Sequence, residues 1–145
     1  MKVSMIGHRD CSENIRSVLK KVLTDCILQD RATVFYVGHQ GAFDRIAYGV
    51  LKSLKVEFPH ISFFVVLAYM PTKAEFPEDL TLFPEIVARS HPKYAILKRN
   101  QWMIEQSDLV VSYVLTSFGG AARYKQMAQK KEKRIVELST LSDKI

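Results

Sequence analysis

A doubly wound α/β domain, about five parallel strands with helices on both faces, is what this sequence predicts, on three observations. Short apolar runs alternate along the chain with longer stretches of helical period. Five of the six glycines fall just after such a run and before the helical stretch that follows it. No linker, repeat or low-complexity segment divides the chain. Runs that are apolar on both faces and joined by helices belong to a parallel sheet covered on both sides. Right-handed crossovers then wind the helices onto both faces, which gives a single Rossmann-like domain over residues 1–145.

Each element has its own signal. Val3 to Ile6, closed by Gly7, reads as the first strand. Asp10 with Glu13 three residues on resembles a capping box. Behind it Ile15, Val18, Leu19, Val22, Leu23, Cys26 and Ile27 repeat at three and four, an amphipathic helix. Thr33 to Val37 is β-branched and aromatic and ends in Gly38. Phe43, Ile46, Ala47, Val50, Leu51 and Leu54 draw a second helical stripe, and Ile61 to Ala68 is the third strand. A helix over 94–106, a strand from Leu109 to Leu115, a helix from Gly119-Gly120 to Lys131 and a strand from Ile135 to Leu138 complete the pattern.

Between the third strand and the next helix lies a proline-rich segment, 70–93, which holds four of the five prolines. Structureless connections of that length are uncommon in compact domains. Two readings stand: a lid folding over the site, or a short helix in which Leu80, Leu82, Phe83, Ile86 and Val87 cover core.

Composition removes several function classes. With 145 residues, 48% hydrophobic and 25% charged, the chain can close one core. The longest apolar stretch, Phe63 to Met70, falls short of the ~18 residues of a membrane span, so no membrane partner is expected. Gly7, His8, Arg9 and Asp10 arrive too early for a signal-peptide core. Cys11 and Cys26 are too few for a metal or disulfide framework, and Cys26 sits on an apolar stripe. Two reduced thiols in a cytoplasmic protein, without metal or cofactor, are the expectation. Net charge is +6, which raises nucleic acid or an anionic small ligand as partners. The run Lys130, Lys131, Lys133 and Arg134 suits the C-terminus of a helix, so a solvated face is preferred to a nucleic-acid footprint there.

The strand-to-helix turns of such a sheet share its carboxyl edge, where ligands bind at the topological switch point. Gly7, Gly38, Gly41, Gly119 and Gly120 all fall in these turns. Glycine admits close backbone approach, and adjacent helix N-termini favour anions. The first turn is Gly7-His8-Arg9-Asp10: an arginine can clamp phosphate bidentately and a histidine can exchange a proton. The second contains Gly38, Gln40, Gly41 and Asp44, a carboxylate suited to a helix first turn or to a ribose hydroxyl. Arg99 and Asn100 interrupt an apolar stripe ~8 Å into their helix. Arg99 either reaches the crevice or pairs with Asp108. Ser117, Gly119, Gly120 and Ala121 form a small-residue turn whose amides can cradle a phosphate. Tyr69 and Tyr124 are the aromatic candidates to stack on a base, Tyr69 the preferred one.

Taken in order, these motifs resemble the SLOG superfamily: Gly7-His8-Arg9 after the first strand, then Gly38, Gly41, Asp44 and Ala47 after the second. Arg99, Asn100, Met103, Ser107 and Asp108 follow, ahead of Gly119-Gly120. That superfamily includes the lonely-guy phosphoribohydrolases, the DNA-processing protein A family and small bacterial or phage proteins of the YpsA type. The resemblance spans residues 2 to 138 and implies a nucleotide-type ligand between the glycine-rich turns, bound by a sensor or accessory module. It also implies a homodimer.

Departures from the family bear on activity. Lonely-guy enzymes continue their glycine turn into an acidic pair holding the catalytic glutamate, where this chain has Lys125 and Gln126. Turnover is therefore left open, and the catalytic residues unassigned. A phosphoribohydrolase-like N-glycosidic reaction, the enzymatic alternative, would have to recruit Asp44 or Glu105. The nucleic-acid alternative rests on the likeness of the second motif to the DNA-processing family and on the net positive charge.

Overall fold

Six parallel strands, not about five, make the sheet in the computed structural model, which describes residues 1–71, 73 and 75–142. Residues 143–145 of the expected domain and 72 and 74 of the proline-rich segment lie outside the described residues. The strands are β1 (Lys2–Gly7), β2 (Val34–Val37), β3 (Ser62–Val66), β4 (Thr81–Leu82), β5 (Leu109–Tyr113) and β6 (Arg134–Glu137), in the spatial order β4-β3-β2-β1-β5-β6. The chain builds outward from β1 to β4, then returns to lay β5 on the other side of β1. The switch point is thus the carboxyl end of β1 and β5.

The added strand is β4. Its two residues pair with the end of β3, Val65 with Thr81 and Val66 with Leu82, and Leu67 N–H donates to Leu82 O at 2.7 Å. Two residues carry no detectable period, and prolines surround them, so sequence pattern could not find it. Around it, Leu80 and Phe83 pack on the main core, while Val87 of α3 (Glu85–Ala88) is buried with Ala68 and Ala95. Ile86 is instead 56% exposed. The described part of 70–93 supplies sheet edge and core cover.

Strand alternation divides the core into two unequal layers. Val3, Met5, Phe35, Val37, Phe63 and Val65 turn to the side of α1 (Ile15–Gln29) and α2 (Gly41–Glu57). Their helical stripes are buried as the spacing predicts, Leu19, Leu23, Leu51 and Leu54 completely. A buried Leu contributes about 1.5–3 kcal/mol, so this layer dominates stability. On the other side Ile6 and Val110 meet Ile104 of α4 (Ala95–Gln106) and Ala128 of α5 (Gly120–Lys130). Ser4 also faces this layer, and its hydroxyl donates to Met103 O at 2.8 Å. The short α6 (Leu138–Ser142), which follows β6 directly, has no counterpart in the sequence pattern.

One local expectation changes. The start of α1 is not a capping box on Asp10: Asn14 is the cap residue and makes no side-chain cap bond. A turn over 12–16 intervenes, with Ile15 N–H on Ser12 O and Arg16 N–H on Glu13 O, and Glu13 pairs with Arg16 at 2.9 Å. The basic run lies where α5 ends and β6 begins, at the amino end of the sheet, with Lys131 on Glu105 at 3.5 Å and Arg134 on Asp30 at 3.2 Å. Cys11 is half-buried and Cys26 buried; both are free, and burial pushes the Cys26 thiol up to about 11. Among the described residues no helix is long and apolar enough to cross a membrane.

Candidate functional site at the carboxyl edge

A crevice of about 340 Å³ opens at the switch point, between the turns that follow β1, β2 and β5. Its walls are made where backbone must pass close to backbone. A Cβ on Gly7 would stand 2.3 Å from Cγ of Phe43, so the first turn can pack on α2 only as glycine. Gly41 has φ +90°, and a Cβ there would meet Arg9 Cα at 2.6 Å. This approach lets Ala42 N–H donate to Arg9 O at 2.7 Å, which locks the first turn to the N-terminus of α2.

Two histidines fasten neighbouring turns in the same way. His8 Nε2 accepts the Leu115 N–H at 2.7 Å, tying the turn after β1 to the one after β5. His39 Nε2 accepts the Ala68 N–H at 3.1 Å, tying the turn after β2 to the one after β3. Both rings must therefore carry their proton on Nδ1. Desolvation and the nearby Arg99 cation push His39 down to about 4, which keeps it a neutral acceptor.

Arg99 lies inside the wall. It is 2% exposed, and its guanidinium donates in three directions: Nε to Asn100 Oδ1 at 2.6 Å, Nη1 to Val66 O at 3.1 Å, and Nη2 to Gln40 Oε1 at 2.7 Å. Asp108, the partner considered from sequence, instead accepts the Lys2 N–H at 2.9 Å. A free phosphate clamp is thus not what the geometry makes of Arg99; it braces the crevice. Beside it Asp44 Oδ2 accepts the Gln40 N–H at 2.9 Å. The residue keeps some exposure, yet its carboxyl is ringed by protein. Desolvation pushes it up to about 6, against the pull of Arg99, the Gln40 N–H and Arg9.

Arg9 is different. It is exposed and lines the crevice, and its guanidinium makes no hydrogen bond or ion pair among the described residues. From α5, whose cap residue Gly119 has φ +94° and makes no side-chain cap bond, Gly120 and Ala121 line the same crevice. Nothing lies within 4 Å of a Cβ placed on Gly119, so its conformation alone favours glycine.

The crevice brings together Gly7, His8, Arg9, Gly38, Gln40 and Asp44 from the first two turns. Arg99, Asn100, Gly120 and Ala121 join them from α4 and α5. Gly41, Ser117 and Gly119 flank it without lining it. Tyr69 is not brought in: it is 40% exposed, and its hydroxyl donates to Pro92 O at 2.9 Å. The aromatic residue that lines the crevice is Tyr124, the weaker candidate from sequence; Met5, Ile6 and Ile96 were not singled out. No described residue of 70–93 lines it. Glu105 stays outside, paired with Lys131.

Glu137 is the residue sequence reasoning missed. Its carboxylate accepts Ser112 Oγ at 2.7 Å, Val114 N–H at 3.0 Å, Ser139 N–H at 3.0 Å and Lys125 Nζ at 2.9 Å. Desolvation alone would raise it, but these donors hold it below the usual carboxylate range. It anchors the turn after β5 to β6. Lys125 belongs to this anchor. Among the described residues no group of three His, Cys, Asp or Glu is placed to hold a metal.

No family model matches the chain, and no curated protein matches it in sequence. Its fold is shared with solved structures. DNA processing protein A from Streptococcus pneumoniae superposes with a TM-score of 0.68 at 15% identity, over 94% of this chain and 49% of that one. The Helicobacter pylori protein of the same name, whose structure concerns its single-stranded DNA binding mode, gives 0.62 at 17% identity. There the match covers 94% of this chain and 64% of that one. This chain thus spans about half to under two thirds of those proteins. At such identity the likeness is one of fold.

Proposed function

We propose that this chain is a SLOG-type domain that binds a nucleotide or nucleotide-derived ligand in the carboxyl-edge crevice, as a sensor or accessory module. One observation carries the reading: a free cation, Arg9, lines a crevice of about 340 Å³ that the uncapped start of α5 also lines. That volume lies at the small end of ligand pockets, which run from about 300 to 1,000 Å³. Arg9 and the amides of Gly120 and Ala121 take the phosphate, the amides adding the partial positive charge of a helix N-terminus. Arg99 holds Gln40 and Asn100 in place.

A second reading, single-stranded DNA on the same edge, is favoured by Leu115 and Phe118, 62% and 75% exposed in the turn beside Gly119. It agrees with the single-stranded DNA binding mode described for the H. pylori protein. The +6 charge favours it too.

A thermal-shift screen separates the two, with nucleoside monophosphates, ADP-ribose, NAD and oligothymidylate as probes. A ligand at about 100 times its Kd adds ~2.7 kcal/mol, several degrees for a domain of this size. A shift with mononucleotides supports the first reading. A shift with oligothymidylate alone, lost steeply as salt rises, replaces it with the second.

A further inference from the structure

The floor of the crevice holds a carboxylate with fewer donors than it can take. Asp44 Oδ2 accepts the Gln40 N–H, and this is the one hydrogen bond the Asp44 side chain makes among the described residues. An ionised carboxylate offers about four acceptor positions. Arg99 does not fill them. Its Nη1 and Asp44 Oδ2 both lie within 2.8 Å of the point where a Cβ on Gly38 would stand, but the two form no ion pair, and Nη1 donates to Val66 O.

A desolvated carboxylate lining a ligand crevice is a poor neighbour for phosphate, which brings only acceptors and like charge. The missing groups are hydroxyl donors. We infer that the nucleotide enters sugar-inward, its 2′- and 3′-hydroxyls donating to Asp44, and that the ligand is a ribonucleotide rather than a deoxyribonucleotide. The phosphate then lies outward, with Arg9 and the amides of Gly120 and Ala121. This rests on the nucleotide reading above and deepens it.

The test titrates the four ribonucleoside monophosphates and their 2′-deoxy counterparts into the full chain at pH 7.5, by calorimetry. A hydrogen bond to a charged group separates the pair by roughly 10-fold or more. The ribonucleotide is therefore expected to bind that much tighter, and Asp44→Asn to bind both alike. Equal affinities in the wild-type protein, or discrimination that survives in Asp44→Asn, overturn the inference and leave the nucleotide reading standing. No binding of any monophosphate overturns both. If Asp44→Asn does not fold, the 2′-O-methyl ribonucleotide replaces it as probe of the wild-type chain. It keeps the oxygen and removes the donor, so the same loss is expected, and an unweakened complex is contrary.

Discussion

Arg99 Nη2 donates to Gln40 Oε1 at 2.7 Å, which joins α4 to the turn after β2 across 59 residues of chain. With Val66 O and Asn100 Oδ1 on its other donors, the guanidinium ties together three segments that meet at the crevice. Breaking a buried charged group out of such a network leaves its acceptors unpaired. Arg99→Ala is expected to cost about 3–5 kcal/mol in urea unfolding. Arg99→Lys should recover only part of this, because one ammonium cannot reproduce a planar fork. Wild-type stability in Arg99→Ala would mean that the residue is not a brace.

Glu137→Ala leaves Ser112 Oγ, Val114 N–H and Ser139 N–H without their acceptor and Lys125 without its counter-ion. A loss of about 2–4 kcal/mol is expected, measured by chemical denaturation. Hydrogen exchange at Val114 should quicken in the variant, since that amide is tied down by the carboxylate itself.

Two groups in the second turn set opposite pH dependences. Asp44 is raised to about 6 from an ordinary value of 3.8, so the native state holds its proton where the unfolded chain has lost it. Its contribution therefore favours the native state increasingly as pH falls from about 6 towards 4. His39 is lowered to about 4 from 6.5, so the unfolded chain takes that proton first, and stability is lost as pH falls through the same range. Asp44→Asn should therefore steepen the loss of stability between pH 7 and pH 4.5, by on the order of 1–3 kcal/mol. His39→Gln, which keeps an acceptor for Ala68 N–H, should turn the loss towards a gain. Parallel stability curves for all three proteins would contradict both assignments.

Gly41→Ala places a Cβ 2.6 Å from Arg9 Cα at a φ of +90°, so it strains the backbone and pushes the first turn off α2. Destabilisation of about 1–3 kcal/mol is expected. Gly119→Ala meets only the backbone strain, because nothing lies within 4 Å of its Cβ. It should cost less, and comparing the two melting temperatures checks the ranking.

The sheet and the glycine-rich turns at its carboxyl edge were legible because they rest on period and punctuation. The stripes of α1 and α2 and the glycines after β1, β2 and β5 need no distant partner to be recognised. Strand β4 was not legible: two residues carry no period, and only their pairing with Val65 and Val66 makes them a strand. The sequence offers both arginines to the crevice, and the fold separates them. Arg99 sits where α4 packs behind β3, so its donors reach Val66 O and Gln40, whereas Arg9 stands on a turn with its side chain in solvent. Burial is a property of the assembled layers, and no local pattern carries it. Glu137 was missed for the same reason, since its four donors come from β5, the turn after it, α5 and α6.

Calorimetric titration of nucleoside monophosphates into the wild-type chain and Arg9→Ala tests the central claim most directly. The Arg9 guanidinium makes no hydrogen bond or ion pair among the described residues, so the variant is expected to melt within about a degree of wild type. Its affinity should fall roughly 10-fold or more, the loss of a charge-assisted phosphate contact. Equal affinity in the two proteins, or binding to neither, would contradict a phosphate site at this crevice.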